Sequence, residues 1–131
     1  MARLARKTVP QPEDQAFLAN THRVAAFAAD KKAVDIRAFD VRGLTLMTDA
    51  FVMCTATSEP QMKAVMNSVR EGMHGIGKPA LHMEGDSTSG WLLLDFGSVI
   101  LHVFREDARA FYDLDGLWGD AKRIALDLDP A

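Results

Sequence analysis

The residues in this chain with the most chemical scope are few and scattered. Four histidines occur, His22, His74, His82 and His102, with no i, i+4 pair and no close Cys/His pair, so the spacing of a zinc site is absent. The single cysteine, Cys54, excludes an intramolecular disulfide, and its apolar neighbours make it a small inert core residue. Two Asp-x-Asp strings, at Asp113-Leu114-Asp115 and Asp127-Leu128-Asp129, are the nearest approach to a carboxylate pair that could hold magnesium against a triphosphate. Both fall outside the strand after the helix that Thr57-Ser58 opens, where that chemistry needs them. We expect no catalytic residue, no metal ligand and no cofactor.

What remains is the chemistry of contact. Trp91 follows a polar loop and starts a strand; tryptophan buries much area and keeps one donor, so it serves as an interface anchor or as a core residue. Asp95 stands at a hairpin turn, either shaping it or meeting a basic partner through a charge-assisted hydrogen bond. His102 lies in an apolar strand, as a structural histidine or as an interface or sheet-edge hydrogen-bonding group. Arg109 and Tyr112 are three apart on one helix face and either brace the hairpin or extend the contact patch. Glu84-Gly85 fixes the loop that presents Trp91, and glycine there permits a positive φ.

The elements that position these residues are legible from periodicity and punctuation. Residues 1–12 read as a flexible polar arm. Pro12 with Glu13 and Asp14 opens a helix, with Phe17, Thr21, Val24, Phe27 and Ala28 on one face and Lys31-Lys32 at its end. Residues 34–39 alternate in period two as a half-buried strand. The near-continuous apolar run 51–55 reads as a strand covered on both faces. Ser58 and Gln61 form a capping box with Pro60 in the first turn, followed by a stripe of Met62, Val65, Met66, Val69 and Met73 that stops at Gly75, Gly77 and Pro79. Residues 80–84 make a short strand. Residues 91–95 and 99–104 form a hairpin about Phe96-Gly97-Ser98. A short helix over 106–112 follows, with Leu114, Leu117 and Trp118 packing behind it. Residues 119–131 read as a tail, helical to Leu126. This order predicts an α/β fold: one domain over 13–118, with a mixed sheet of about five strands flanked by helices.

At 131 residues, 48% apolar and 25% charged, the chain has ordinary globular composition. No apolar run approaches the roughly 18 residues that span a bilayer, and no apolar stretch follows the basic start, so neither membrane span nor secretory signal is expected. The net charge of -3 lacks the positive excess with which proteins grip nucleic-acid phosphates. Arg3, Arg6, Lys7 and the Lys31-Lys32 pair leave rRNA contact a secondary role; no DNA binding is expected. From Glu106 onward acids exceed bases, which suits a basic protein partner.

Four segments, in order and in register, give the chain a resemblance to the ribosome-silencing factor, or iojap-like, family. They are residues 32–43, including Val34-Asp35-Ile36 and Asp40-Val41-Arg42-Gly43; residues 48–58, Thr48 to Ser58; Glu84-Gly85, Trp91, Asp95-Phe96-Gly97 and residues 99–104; and Arg109, Tyr112 and Leu114 closing on Leu117-Trp118. Together they cover roughly residues 20 to 118. Ala56 departs from an expected glycine, Asp115 from an expected glutamate, and Glu59-Pro60 from other polar residues.

The resemblance implies a nucleotidyltransferase-like fold used without catalysis. It implies cytoplasmic binding to the large ribosomal subunit, through its protein numbered fourteen. Subunit joining would then be blocked sterically and translation repressed. Glu84, Trp91, Asp95, His102, Arg109 and Tyr112 are the expected contacts. A large-subunit assembly role and, more remotely, nucleotidyl transfer are the alternatives, and an apolar sheet edge leaves room for a homodimer off the ribosome.

Overall fold

The computed structural model describes residues 12–128. Helix α1 (Pro12–Asp30) leads into strand β1 (Val34–Asp40) and strand β2 (Ala50–Ala56). Helix α2 (Glu59–Gly75), strands β3 (His82–Asp86), β4 (Trp91–Asp95) and β5 (Val99–Arg105), and helices α3 (Glu106–Tyr112) and α4 (Leu114–Leu117) follow, with a last strand β6 (Lys122–Ile124). The sheet order is β3-β4-β5-β2-β1-β6. Among the described strands β2 and β5 run parallel and the other neighbours are antiparallel. The α/β architecture with a mixed sheet flanked by helices is as expected from sequence.

Every residue of β2 is buried, as its unbroken apolar run requires of a central strand covered on both faces. Helices α1 and α2 cover one face. Phe17, Val24 and Ala28 of α1 and Met62, Val65, Val69 and Met73 of α2 meet Val52, Cys54, Leu101, Val103, Leu92 and Leu94 there. The helices approach closely enough that a Cβ on Gly72 would sit 2.7 Å from the Phe27 ring. At the start of α2, the Gln61 N–H donates to Ser58 Oγ at 3.2 Å. The Gln61 side chain reaches one residue further upstream than a simple capping box, accepting from the Thr57 N–H at 2.6 Å. Its amide donates to the carbonyls of Lys31 and Lys32 at 3.1 and 3.0 Å, tying the end of α1 to the start of α2.

Three expectations are corrected. Residues 122–124 form a sixth strand on β1, not a helix. Ile124, Leu126 and Leu128 pack against the core, and that period-two spacing is a strand signal. The third strand lies at 82–86, two residues later than read: proline at 79 has no N–H for a ladder, and the Leu81 N–H is the first to bond across, to Asp95 O at 2.7 Å. Leu117 is 70% exposed and does not pack behind α3; Leu114 and Trp118 do pack, against the second face of the sheet. Of the expected arm over residues 1–12, residues 1–11 lie outside the described residues, and Pro12 is the first residue of α1.

Candidate docking face

Cross-strand register decides which side chains share the second face. Glu84 pairs with Leu93 and Asp86 with Trp91. Trp91 pairs in turn with Phe104, Leu93 with His102 and Asp95 with Ile100. Directly opposed residues point the same way, so Glu84, Trp91, Asp95 and His102 project from the face turned away from α1 and α2. Helix α3 brings Arg109 and Tyr112 to the same face. The six residues expected from sequence are therefore assembled on one side of the sheet, at different depths.

Trp91 is half-buried at the centre of an aromatic cluster. Its ring lies 4.7 Å from Tyr112 and 5.3 Å from Phe104, centroid to centroid. Its indole N–H donates to His102 Nδ1 at 3.0 Å. Nδ1 is thereby the acceptor, and the imidazole proton sits on Nε2. His102 is 4% exposed. Burial drives its pKa down to about 4, with the Asp115 carboxylate opposing, so the ring is neutral at pH 7. Nε2 has no hydrogen-bond partner among the described residues, and the Phe51 ring meets the imidazole edge to face at 5.1 Å. A ring face of that kind is a weak acceptor.

Arg109 is 8% exposed and internally occupied. Its Nε and Nη2 donate to the two Asp115 carboxylate oxygens at 3.0 and 2.9 Å. Nη1 donates to Asp35 O at 2.7 Å and to Thr55 Oγ1 at 2.9 Å. Burial raises the Asp115 carboxyl, but Arg109 more than offsets this and holds it below the usual carboxylate range. Arg109 thus fastens the α3–α4 turn to β1 and β2. Asp95 accepts the Gly97 N–H at 2.7 Å and shapes the hairpin turn.

The surface above this buried layer is aromatic and acidic. Tyr112 is 46% exposed, and Phe111, 81% exposed, meets its ring at 5.1 Å. Glu84 is exposed and meets His82 Nε2 at 3.1 Å. Gly85 has φ +81°, and a Cβ there would collide with the Trp91 carbonyl oxygen. Phe104 and Phe111 were not singled out from sequence, and Trp118, expected only to pack behind α3, lies against Phe51 at 5.1 Å. The alternation of Trp91-Leu93 and His102-Phe104 along the hairpin was the signal that would have placed Phe104 beside Trp91.

Among the described residues no three His, Cys, Asp or Glu side chains converge as metal ligands. Asp113 caps α4, accepting the Gly116 N–H at 3.1 Å, and Asp115 is held by Arg109. Cys54 is wholly buried and its thiol is pushed up to about 12 by that burial. No helix among the described residues is long and apolar enough to cross a membrane.

Comparison with known proteins agrees with this architecture. The family model described as "Ribosomal silencing factor during starvation" matches residues 14–131. The ribosomal silencing factor RsfS of Bacillus subtilis is 39% identical over 103 residues, covering 79% of this chain and 87% of that protein. The chloroplastic protein Iojap of Zea mays is 37% identical over 124 residues, 93% of this chain but 53% of that longer protein. A crystal structure of a Chromobacterium violaceum protein superposes with a TM-score of 0.72 at 28% identity, covering 89% of this chain and 94% of the other. One from Bacillus halodurans gives 0.67 at 30% identity, covering 88% of this chain and 100% of the other. The chain belongs to the ribosomal silencing factor family.

Proposed function

We propose that this protein represses translation in the cytoplasm by docking on the large ribosomal subunit, at its protein numbered fourteen, and sterically blocking the small subunit from joining. The observation that carries this reading is the family match across residues 14–131. The geometry supports a contact role. The face bearing Glu84, Trp91 and Tyr112 offers exposed aromatic area over a rigid hydrogen-bonded layer, and that combination suits an interface anchor. The mechanism requires no bond to be made or broken: an interface of about 800 Å² per partner holds the protein in place, and its volume excludes the other subunit. His102 and Arg109 serve that surface from beneath, and Glu84, Trp91 and Tyr112 meet the partner. A non-enzymatic role fits the internal employment of Asp113, Asp115 and Asp95.

The test is co-sedimentation of the full chain with purified large subunits, comparing wild type with Trp91→Ala and Tyr112→Ala, folding being checked by circular dichroism. Wild type should travel with large subunits and prevent their joining to small subunits, and both folded variants should lose at least tenfold in affinity. A folded wild-type protein that ignores large subunits at micromolar concentration would sink the reading.

A further inference from the structure

Beside Trp91 the docking face is indented. Glu84, Gly85, Ser89, Trp91, Leu93 and Tyr112 line an open cavity of about 280 Å³. That is at the lower end of the roughly 300–1,000 Å³ of small-molecule sites and large enough to admit one long side chain. Its walls are unequal. Trp91, Leu93 and Tyr112 supply an apolar and aromatic slot. Glu84 supplies a carboxylate, its side chain 63% exposed and paired at one oxygen with His82 among the described residues. A long apolar stem ending in a cation fits both requirements, because lysine and arginine lay their methylenes on apolar surface while keeping the charge at the polar rim. The rings of Trp91 and Tyr112 add attraction for that cation.

The neighbouring charges favour the same occupant. Asp86 on the same strand is a carboxylate held below its ordinary range, mainly by the Thr88 hydroxyl. Arg105 is paired with Asp107 at 3.0 Å and Arg109 with Asp115 at 2.9 Å, and the residues lining the cavity include no lysine or arginine. A phosphate entering here would meet carboxylate, not cation.

We infer that the cavity bounded by Glu84, Trp91 and Tyr112 is a side-chain socket that takes a lysine or arginine from the protein on which this chain docks. This inference rests on the docking reading above and adds the chemistry of the recognised group. Glu84 sets the charge of the accepted side chain; Trp91, Leu93 and Tyr112 set its length.

The experiment measures affinity of the full chain for purified large subunits across a salt series, for wild type, Glu84→Gln and Glu106→Gln, each checked for folding. Glu84 is exposed on an edge strand, so its amide variant retains the fold. Glu84→Gln should weaken binding about tenfold and flatten the salt dependence, while Glu106→Gln, a carboxylate on α3 outside the cavity, should stay within twofold of wild type. Unchanged affinity in Glu84→Gln, with binding still lost in Trp91→Ala, overturns the socket and leaves the docking reading intact. Equal weakening in both amide variants overturns it in favour of a diffuse field effect. Tighter binding in Glu84→Gln overturns it in favour of RNA against this face. A wild type that does not bind removes the reading and the socket together.

Discussion

The indole N–H of Trp91 and Nδ1 of His102 lie 3.0 Å apart, one donating and the other accepting. The bond crosses from β4 to β5 and joins a half-buried residue of the proposed docking face to a residue beneath it. It requires His102 to be neutral, since a proton on Nδ1 would remove the acceptor and set two donors against each other.

That requirement sets a pH dependence. The His102 pKa falls from 6.5 to about 4 on folding, chiefly through burial. Between those values the unfolded chain binds a proton that the folded chain does not, so stability is fully present above about pH 6.5 and is lost as pH falls toward 4. The whole shift corresponds to about 3 kcal/mol at most. Urea unfolding at pH 7 and pH 4.5 should show this loss, and His102→Phe should abolish that part of the difference while lowering stability at pH 7. An unchanged pH difference in the variant would refute the assignment to His102.

The Arg109–Asp115 pair makes a second prediction. Removing one partner of a buried ion pair leaves an uncompensated charge and costs about 3–5 kcal/mol. Asp115→Ala removes the bidentate partner of the buried guanidinium, while the Asp35 carboxylate at 3.7 Å, Asp35 O and Thr55 Oγ1 remain to it, so the loss should fall at the lower end of that range. We expect thermal unfolding to show a large loss for Asp115→Ala and a smaller one for Arg109→Met with Asp115→Leu. If the double variant is as damaged as the sum of the singles, the pair does not act as a unit.

Gly85 gives the third. Its φ of +81° and the nearby Trp91 carbonyl leave no room for a Cβ. Gly85→Ala should destabilise by more than ~1 kcal/mol and, by displacing the Trp91 backbone, weaken large-subunit binding disproportionately. Denaturant midpoints read beside co-sedimentation would expose a purely global effect, in which binding falls no more than the unfolded fraction requires.

Much of the fold was legible because its signals are local. The stripe from Met62 to Met73 and the short helix over 106–112 fell where periodicity placed them. The tail was misread because Lys122-Arg123-Ile124 becomes a strand only when the edge of β1 is there to receive it, and that edge is created by residues over eighty positions earlier. The face was partly legible: Trp91 and Tyr112 could be singled out by type and place. The depth of His102 and Arg109 could not, because burial depends on what α3, Phe51 and Asp115 bring over them. Resemblance supplied the six positions; cross-strand register supplied their common side.

The parallel pairing of β2 with β5 joins Ala50 to Val99 and Ala56 to Arg105, so each rung of the central ladder closes a loop of nearly fifty residues. That loop contains α2 and the whole of β3 and β4. Closing it costs chain entropy before any rung rewards it, and folding rates fall as contacts become less local. The β4–β5 hairpin and α2 can form early from neighbours in sequence. Seating β5 against β2, less local than either, is then expected to be the slow step. Until it occurs the edge of β2 that faces away from β1 stays open, which makes the half-assembled chain, rather than the finished fold, the species most prone to aggregate.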